Sequence, residues 1–135
     1  MLNVDIFKEQ VGCNVAANEA QIRICNLKLK QNNLPEIPQE YAEVLKMCNG
    51  FSNEDVFVFG AEIKNNNWYK DLAEFNIAYF RGNKVTWLIL GEDDFSFFIY
   101  DAKQKKYYIA GRDDLEEEFS DSDFLTSLEY ILKIE

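Results

Sequence analysis

LPEIPQEYAEVLKMCNGF, residues 34–51, is the stretch around which the rest of the chain is organised. Pro38 suits the first helical position, where a missing N–H strands no acceptor. Tyr41, Val44, Leu45 and Cys48 then recur at i, i+3, i+4 and i+7, one apolar face of a short amphipathic helix. Asn49-Gly50 is the stop signal, because glycine takes the left-handed conformation without a Cβ clash, and Phe51 is placed to fold back on Leu45.

Upstream, Asn18 and Gln21 have the spacing of a capping box, and Ala17, Ala20, Ile24, Cys25, Leu27 and Leu29 make a broad helical stripe running through Lys30. Before that, Leu2, Val4, Ile6, Phe7 and Val11 suit a short helix or a packed arm. Downstream the period changes. Val56-Phe57-Val58-Phe59, closed by Gly60, reads as a strand covered on both sides, and 64–67 as a polar loop. Trp68, Leu72 and Phe75 space one or two helical turns over 68–75. Residues 77–81 and 84–90 flank Gly82-Asn83, which predicts a hairpin with a type II′ turn. A turn at 91–94, a strand at 95–101, a loop at 102–105 and a strand at 106–110 continue an antiparallel meander. Ser120 with Asp123 resembles a second capping box, followed by Phe124, Leu125, Leu128, Ile131 and Leu132 on one helical face. Asp121 and Asp123 near the start of that helix suit its dipole. The expected fold is a single α+β domain over 1–135, with N-terminal helices, a central, mainly antiparallel sheet and a C-terminal helix.

The quoted stretch and the strand after it also carry a family likeness. Leu34, Pro35, Ile37, Pro38, Tyr41, Leu45, Asn49, Gly50, Phe51 and Gly60 resemble the pattern of the SUKH superfamily, and an aromatic-rich meander around residues 91–95 and a C-terminal helix follow in the expected order. That superfamily includes bacterial toxin-immunity proteins and a fungal cell-wall-assembly regulator. The resemblance implies the same α+β arrangement and a cytoplasmic, non-enzymatic immunity protein. Its partner would be a cognate toxin, often a nuclease or another nucleic-acid-modifying effector. A regulatory or scaffold module without a toxin is the alternative. The matching residues set the fold, so no toxin contact carries over from the family.

Formal net charge is −10, from 24 acidic and 14 basic residues, which opposes binding to phosphate backbones and favours a basic protein partner. Residues 113–123 hold Asp113, Asp114, Glu116, Glu117, Glu118, Asp121 and Asp123 with no base among them. Helix capping and a solvated face account for part of that run, and a docking patch is the functional reading. Glu92, Asp93 and Asp94 form a second acidic loop. From local charge, the partner-binding candidates are Glu92, Asp93, Asp94, Asp113, Asp114, Glu116, Glu117 and Glu118.

The chain has no histidine, which removes Ser-His-Asp and Cys-His catalysis, histidine general acid–base work and H-E-x-x-H zinc sites. Its six glycines form neither phosphate-binding signature, and no calcium-loop spacing appears, so no cofactor or metal is implied. A carboxylate-pair enzyme is the third function class, and two acids with raised pKa values in one cleft would be its mark. Cys13, Cys25 and Cys48 lack C-x-x-C spacing, and Cys25 and Cys48 read as free core thiols in a reducing compartment. No apolar run approaches the roughly 18 residues of a membrane span, and Asp5 and Glu9 do not suit a signal peptide.

Overall fold

The computed structural model describes residues 9–64, 66 and 68–133. The proposed arm over Leu2, Val4, Ile6 and Phe7 lies outside these residues, and only Val11 of that group is seen, buried in the core. Among the described residues the fold is α+β: seven antiparallel strands in sequential order, with four named helices, one of them C-terminal.

Strand β1 (Gly12–Cys13) is short, and helix α1 (Glu19–Gln31) follows behind the Asn18–Gln21 capping box, both of whose hydrogen bonds are made. The stripe that enters the core is Ile22, Cys25 and Leu29. Ile24 and Leu27, expected inside, are 43% and 55% exposed, because the packed face is turned toward Ile22. Helix α2 (Gln39–Leu45) buries Tyr41, Ala42, Val44 and Leu45. Pro38 is its N-cap, with extended backbone, not its first helical residue. The helix ends at Leu45, so Cys48 lies past it, and Gly50 takes φ +105° in the link to β2 (Phe51–Asn53). Phe51 is therefore a buried strand residue opposite Val58, beyond the C″ position expected for it.

Strand β2 turns at Glu54-Asp55 into β3 (Val56–Val58). The chain then leaves the sheet and forms α3 (Leu72–Phe80), capped by the Asp71 side chain on the Glu74 N–H. This corrects the expected Gly82-Asn83 hairpin. Residues 77–80 are helical, Arg81 is a left-handed C-cap and Gly82 at φ +83° ends the helix. Gly-Asn marks a helix end as readily as a turn between strands, and the deciding term here is burial of Leu72, Ala73 and Asn76 on one helical face.

Strands β4 (Trp87–Glu92), β5 (Ser96–Asp101), β6 (Lys106–Gly111) and β7 (Glu117–Asp121) complete the meander. Side chains alternate across it. Phe98, Tyr107 and Phe119 face helix α4 (Phe124–Leu132), against Phe124 and Tyr130, with Tyr41 of α2 beside Phe124. Phe97 faces the other way and meets Phe75 and Tyr79 of α3. Helix α4 begins at an Asp123 N-cap bonded to Thr126, three residues later than the Ser120 cap expected, because Ser120 is held in β7 opposite Tyr108.

Two buried asparagines replace missing strand pairing. Where β3 stops short of β4, Asn76 accepts from the Ile89 N–H at 2.7 Å and donates to the Ile89 carbonyl at 2.8 Å. Asn49 treats Ala61 alike, accepting at 2.7 Å and donating at 3.0 Å. Cys13 and Cys48 are joined in a disulfide that closes 35 residues of sequence, which corrects the free-thiol reading of Cys48. Pairing needed only that β1 lie beside β2, a contact between segments far apart in the chain. Cys25 is a buried free thiol, and burial pushes its pKa up to about 12.

Candidate functional site: the acidic end of the sheet

An antiparallel meander puts every second turn at the same end. Here the shared turns are Glu54-Asp55, Asp93-Asp94-Phe95 and residues 112–116, which include Asp113, Asp114 and Glu116. Two acidic segments nominated separately from sequence are thus neighbours, joined by their backbones. The Arg112 N–H donates to the Phe95 carbonyl at 2.9 Å, and Arg112 Nη1 to the Asp93 carbonyl at 2.9 Å. Lys133, the α4 C-cap, approaches Asp55 at 3.9 Å and Asp93 at 4.0 Å, bringing the third turn into the group. The opposite end carries Lys103, Lys105 and Lys106 at the β5–β6 turn, so the sheet has a charge asymmetry along its strands.

The nominated acids divide by environment. Glu92 is 3% exposed and serves inside the protein: its carboxylate is held by Lys70 Nζ at 2.5 Å and Arg112 Nη1 at 3.1 Å. Both cations lie over rings on the same face, Lys70 on Phe57 at 4.7 Å and Arg112 on Phe97 at 5.2 Å. Desolvation of Glu92 is offset by two cations and their aromatic platforms, which leaves none of its charge for a partner. Asp93 is also buried, and its Oδ1 accepts from the N–H groups of Phe95 and Ser96 to shape the turn. Glu118 accepts from Ser96 Oγ at 2.6 Å, pinning β7 to the β4–β5 turn. Asp114 accepts from the Glu116 N–H at 2.9 Å, fixing its own loop. The exposed acids are then Asp94, Asp113, Asp114, Glu116, Glu117 and Glu118, with Glu54 in the neighbouring turn.

Phe95 changes the character of this end. Expected within a strand, it sits in the turn and is 81% exposed between Asp94 and the buried Ser96. A large exposed ring at an end that carries three acidic turns, with Arg112 and Lys133 among them, has the make-up of an interface anchor with a polar rim. Sequence reasoning missed Glu54, Asp55 and Phe95 as members of the site, and the signal that finds them is turn parity in the meander.

Among the described residues, two carboxyl groups have shifted pKa values, and each caps a helix. Burial raises the pKa of Asp71, but its two oxygens accept from the Ile63 and Glu74 N–H groups, a capping role. Asp123 lies below the ordinary carboxylate range because Thr126 donates to it through both side chain and backbone. Among the described residues, no group of three or more Cys, Asp and Glu side chains is arranged to hold a metal ion, and no helix is long and apolar enough to cross a membrane. Compared with known proteins, the chain matches no family model and no curated protein.

Proposed function

We propose that this chain is a non-enzymatic immunity protein that binds and neutralises a basic cognate toxin, of nuclease or other nucleic-acid-modifying type, through the acidic end of its sheet. The observation that carries this reading is the gathering of three acidic turns at one end of the sheet, one of them bearing the exposed Phe95. A nuclease surface that binds phosphates is basic, and a fixed negative field at one end of the molecule speeds encounter and sets its orientation. The family resemblance of residues 34–60 supports the same assignment. We assign it to the cytoplasm on that resemblance, while the Cys13–Cys48 pair is the observation that favours an oxidising compartment.

The test is capture of a toxin domain encoded beside this chain's gene, with association followed across a salt series. Replacing Asp94, Asp113, Asp114 and Glu116 with Asn or Gln is expected to slow association by about tenfold or more and flatten its salt dependence. Phe95→Ala is expected to speed dissociation with little effect on association. Tight, salt-insensitive binding that survives the charge replacements refutes the acidic-end assignment.

A further inference from the structure

Beyond helix α3, which covers Phe97, a cavity of about 230 Å³ lies on the same sheet face. Its floor is apolar: Ile99 and Ala110 are 3% and 4% exposed. Trp87 of β4 and Tyr108 of β6 line it, Trp87 being 37% exposed. Leu115 and Glu117 border it on the β7 side. Asp101, Gln104 and Glu117 complete its lining, so the two charged groups that line it are carboxylates, with Lys103 and Lys105 on either side of Gln104 in the chain. Burial raises the pKa of the Tyr108 phenol, and the charges of Asp101 and Glu117 raise it further.

The two carboxylates are not equivalent. Asp101 is 6% exposed, and its Oδ1 accepts from the N–H groups of Lys103 and Gln104 to cap the β5–β6 turn. Lys106 stands opposite it in register but does not line the cavity. Glu117 is exposed and, among the described residues, meets no cation within 4.0 Å. One free carboxylate beside two aromatic side chains suits a planar cation, which stacks on ring faces, accepts poor hydration and pairs with a carboxylate through two N–H groups. The volume is below that of small-molecule sites and matches a single long side chain. Leu115 and Glu117 follow directly on the Asp113-Asp114 turn and form one rim of the cavity, while Trp87, Asp101 and Gln104 lie toward the β5–β6 turn, so a protein engaged on the acidic end meets the cavity at its Leu115–Glu117 rim.

We infer that this cavity is the receptor for one arginine side chain of a basic protein partner, with the guanidinium against Trp87 and Tyr108 and paired to Glu117. The inference rests on the proposed function only for the identity of the arginine's bearer.

The test titrates the whole chain with the peptides acetyl-Gly-Arg-Gly-amide and acetyl-Gly-citrulline-Gly-amide, following the Trp87 indole N–H by NMR. Saturable shifts with the arginine peptide are expected, with citrulline weaker by about tenfold or more because it keeps the shape and loses the charge. Glu117→Gln, an exposed substitution, is expected to weaken the arginine peptide to a similar degree, while Asp94→Asn has a small effect. Equal shifts with both peptides, no Trp87 shift up to the solubility limit, or an unchanged affinity in Glu117→Gln each overturn the inference. The readout needs no toxin, so the two assignments fail separately. A chain that takes the peptide and ignores the toxin sinks the immunity reading alone, and one that captures the toxin and ignores the peptide sinks this one alone.

Discussion

Replacing Asn49 with Ala tests whether a side-chain amide really stands in for a strand at the joint between the α2–β2 link and the residue after Gly60. Asn49 is 2% exposed, and its amide closes both hydrogen-bonding groups of Ala61, a residue with no exposed surface. Alanine strands that N–H and that carbonyl together. Each unpaired buried group costs about 1–3 kcal/mol, so the pair should cost about 2–6 kcal/mol, a large share of the stability of a domain this size. Urea unfolding followed by tryptophan fluorescence measures it, with a slope of about 1–3 kcal/mol/M that should stay constant while the midpoint falls. Gly60→Ala probes the joint from below, because its Cβ would stand 2.5 Å from the Asn49 carbonyl oxygen, and it should also destabilise. A loss below about 1 kcal/mol in Asn49→Ala would show that Ala61 finds other partners and would refute the brace.

Three further outcomes follow from the same geometry. Among the described residues the buried Tyr107 hydroxyl has no hydrogen-bond partner, so Tyr107→Phe should leave stability unchanged or raise it by about 1 kcal/mol in the same urea assay. Reducing the Cys13–Cys48 bond, which closes 35 residues, should lower stability by about 4 kcal/mol, read as a drop in Tm with a thiol reductant, while Cys25 reacts with thiol reagents only on unfolding. Asp71 has a folded pKa above its unfolded value of 3.8, so its contribution to stability is present below that pH and is lost as pH rises through the folded pKa. Asp71→Asn should therefore flatten that part of the stability–pH curve, measured by urea midpoints from acid to neutral pH.

Local signals carried much of the architecture. The Asn18–Gln21 box, the apolar run at 56–58, strands β5 and β6 and the stripe of α4 all depend on neighbours within a few residues, and a sequence displays those directly. The failures are long-range. Residues 72–80 are apolar enough to suit either a strand or a helix, and only the place left vacant beside β4 decides for the helix. Glu117–Asp121 has too much charge to read as a strand, and it is one because an edge strand buries little and charge there discourages pairing with another chain. These two errors, with the unseen β2, also hid the candidate site. Acidic loops can be told apart by composition, but which of them share an end depends on the number of strands between them.

The three turns have a consequence for how this surface can change. Glu54, Asp94, Asp113 and Glu116 are all exposed, and the core is assembled from residues on the strands and helices behind them. Substitution at these tips alters the partner-facing pattern at little cost to folding, whereas the neighbouring Glu92 and Asp93 are tied to the body by ion pairs and turn hydrogen bonds. The molecule thus separates a heritable frame from an editable script, and chains sharing the frame would be told apart by what is spelled at these three tips.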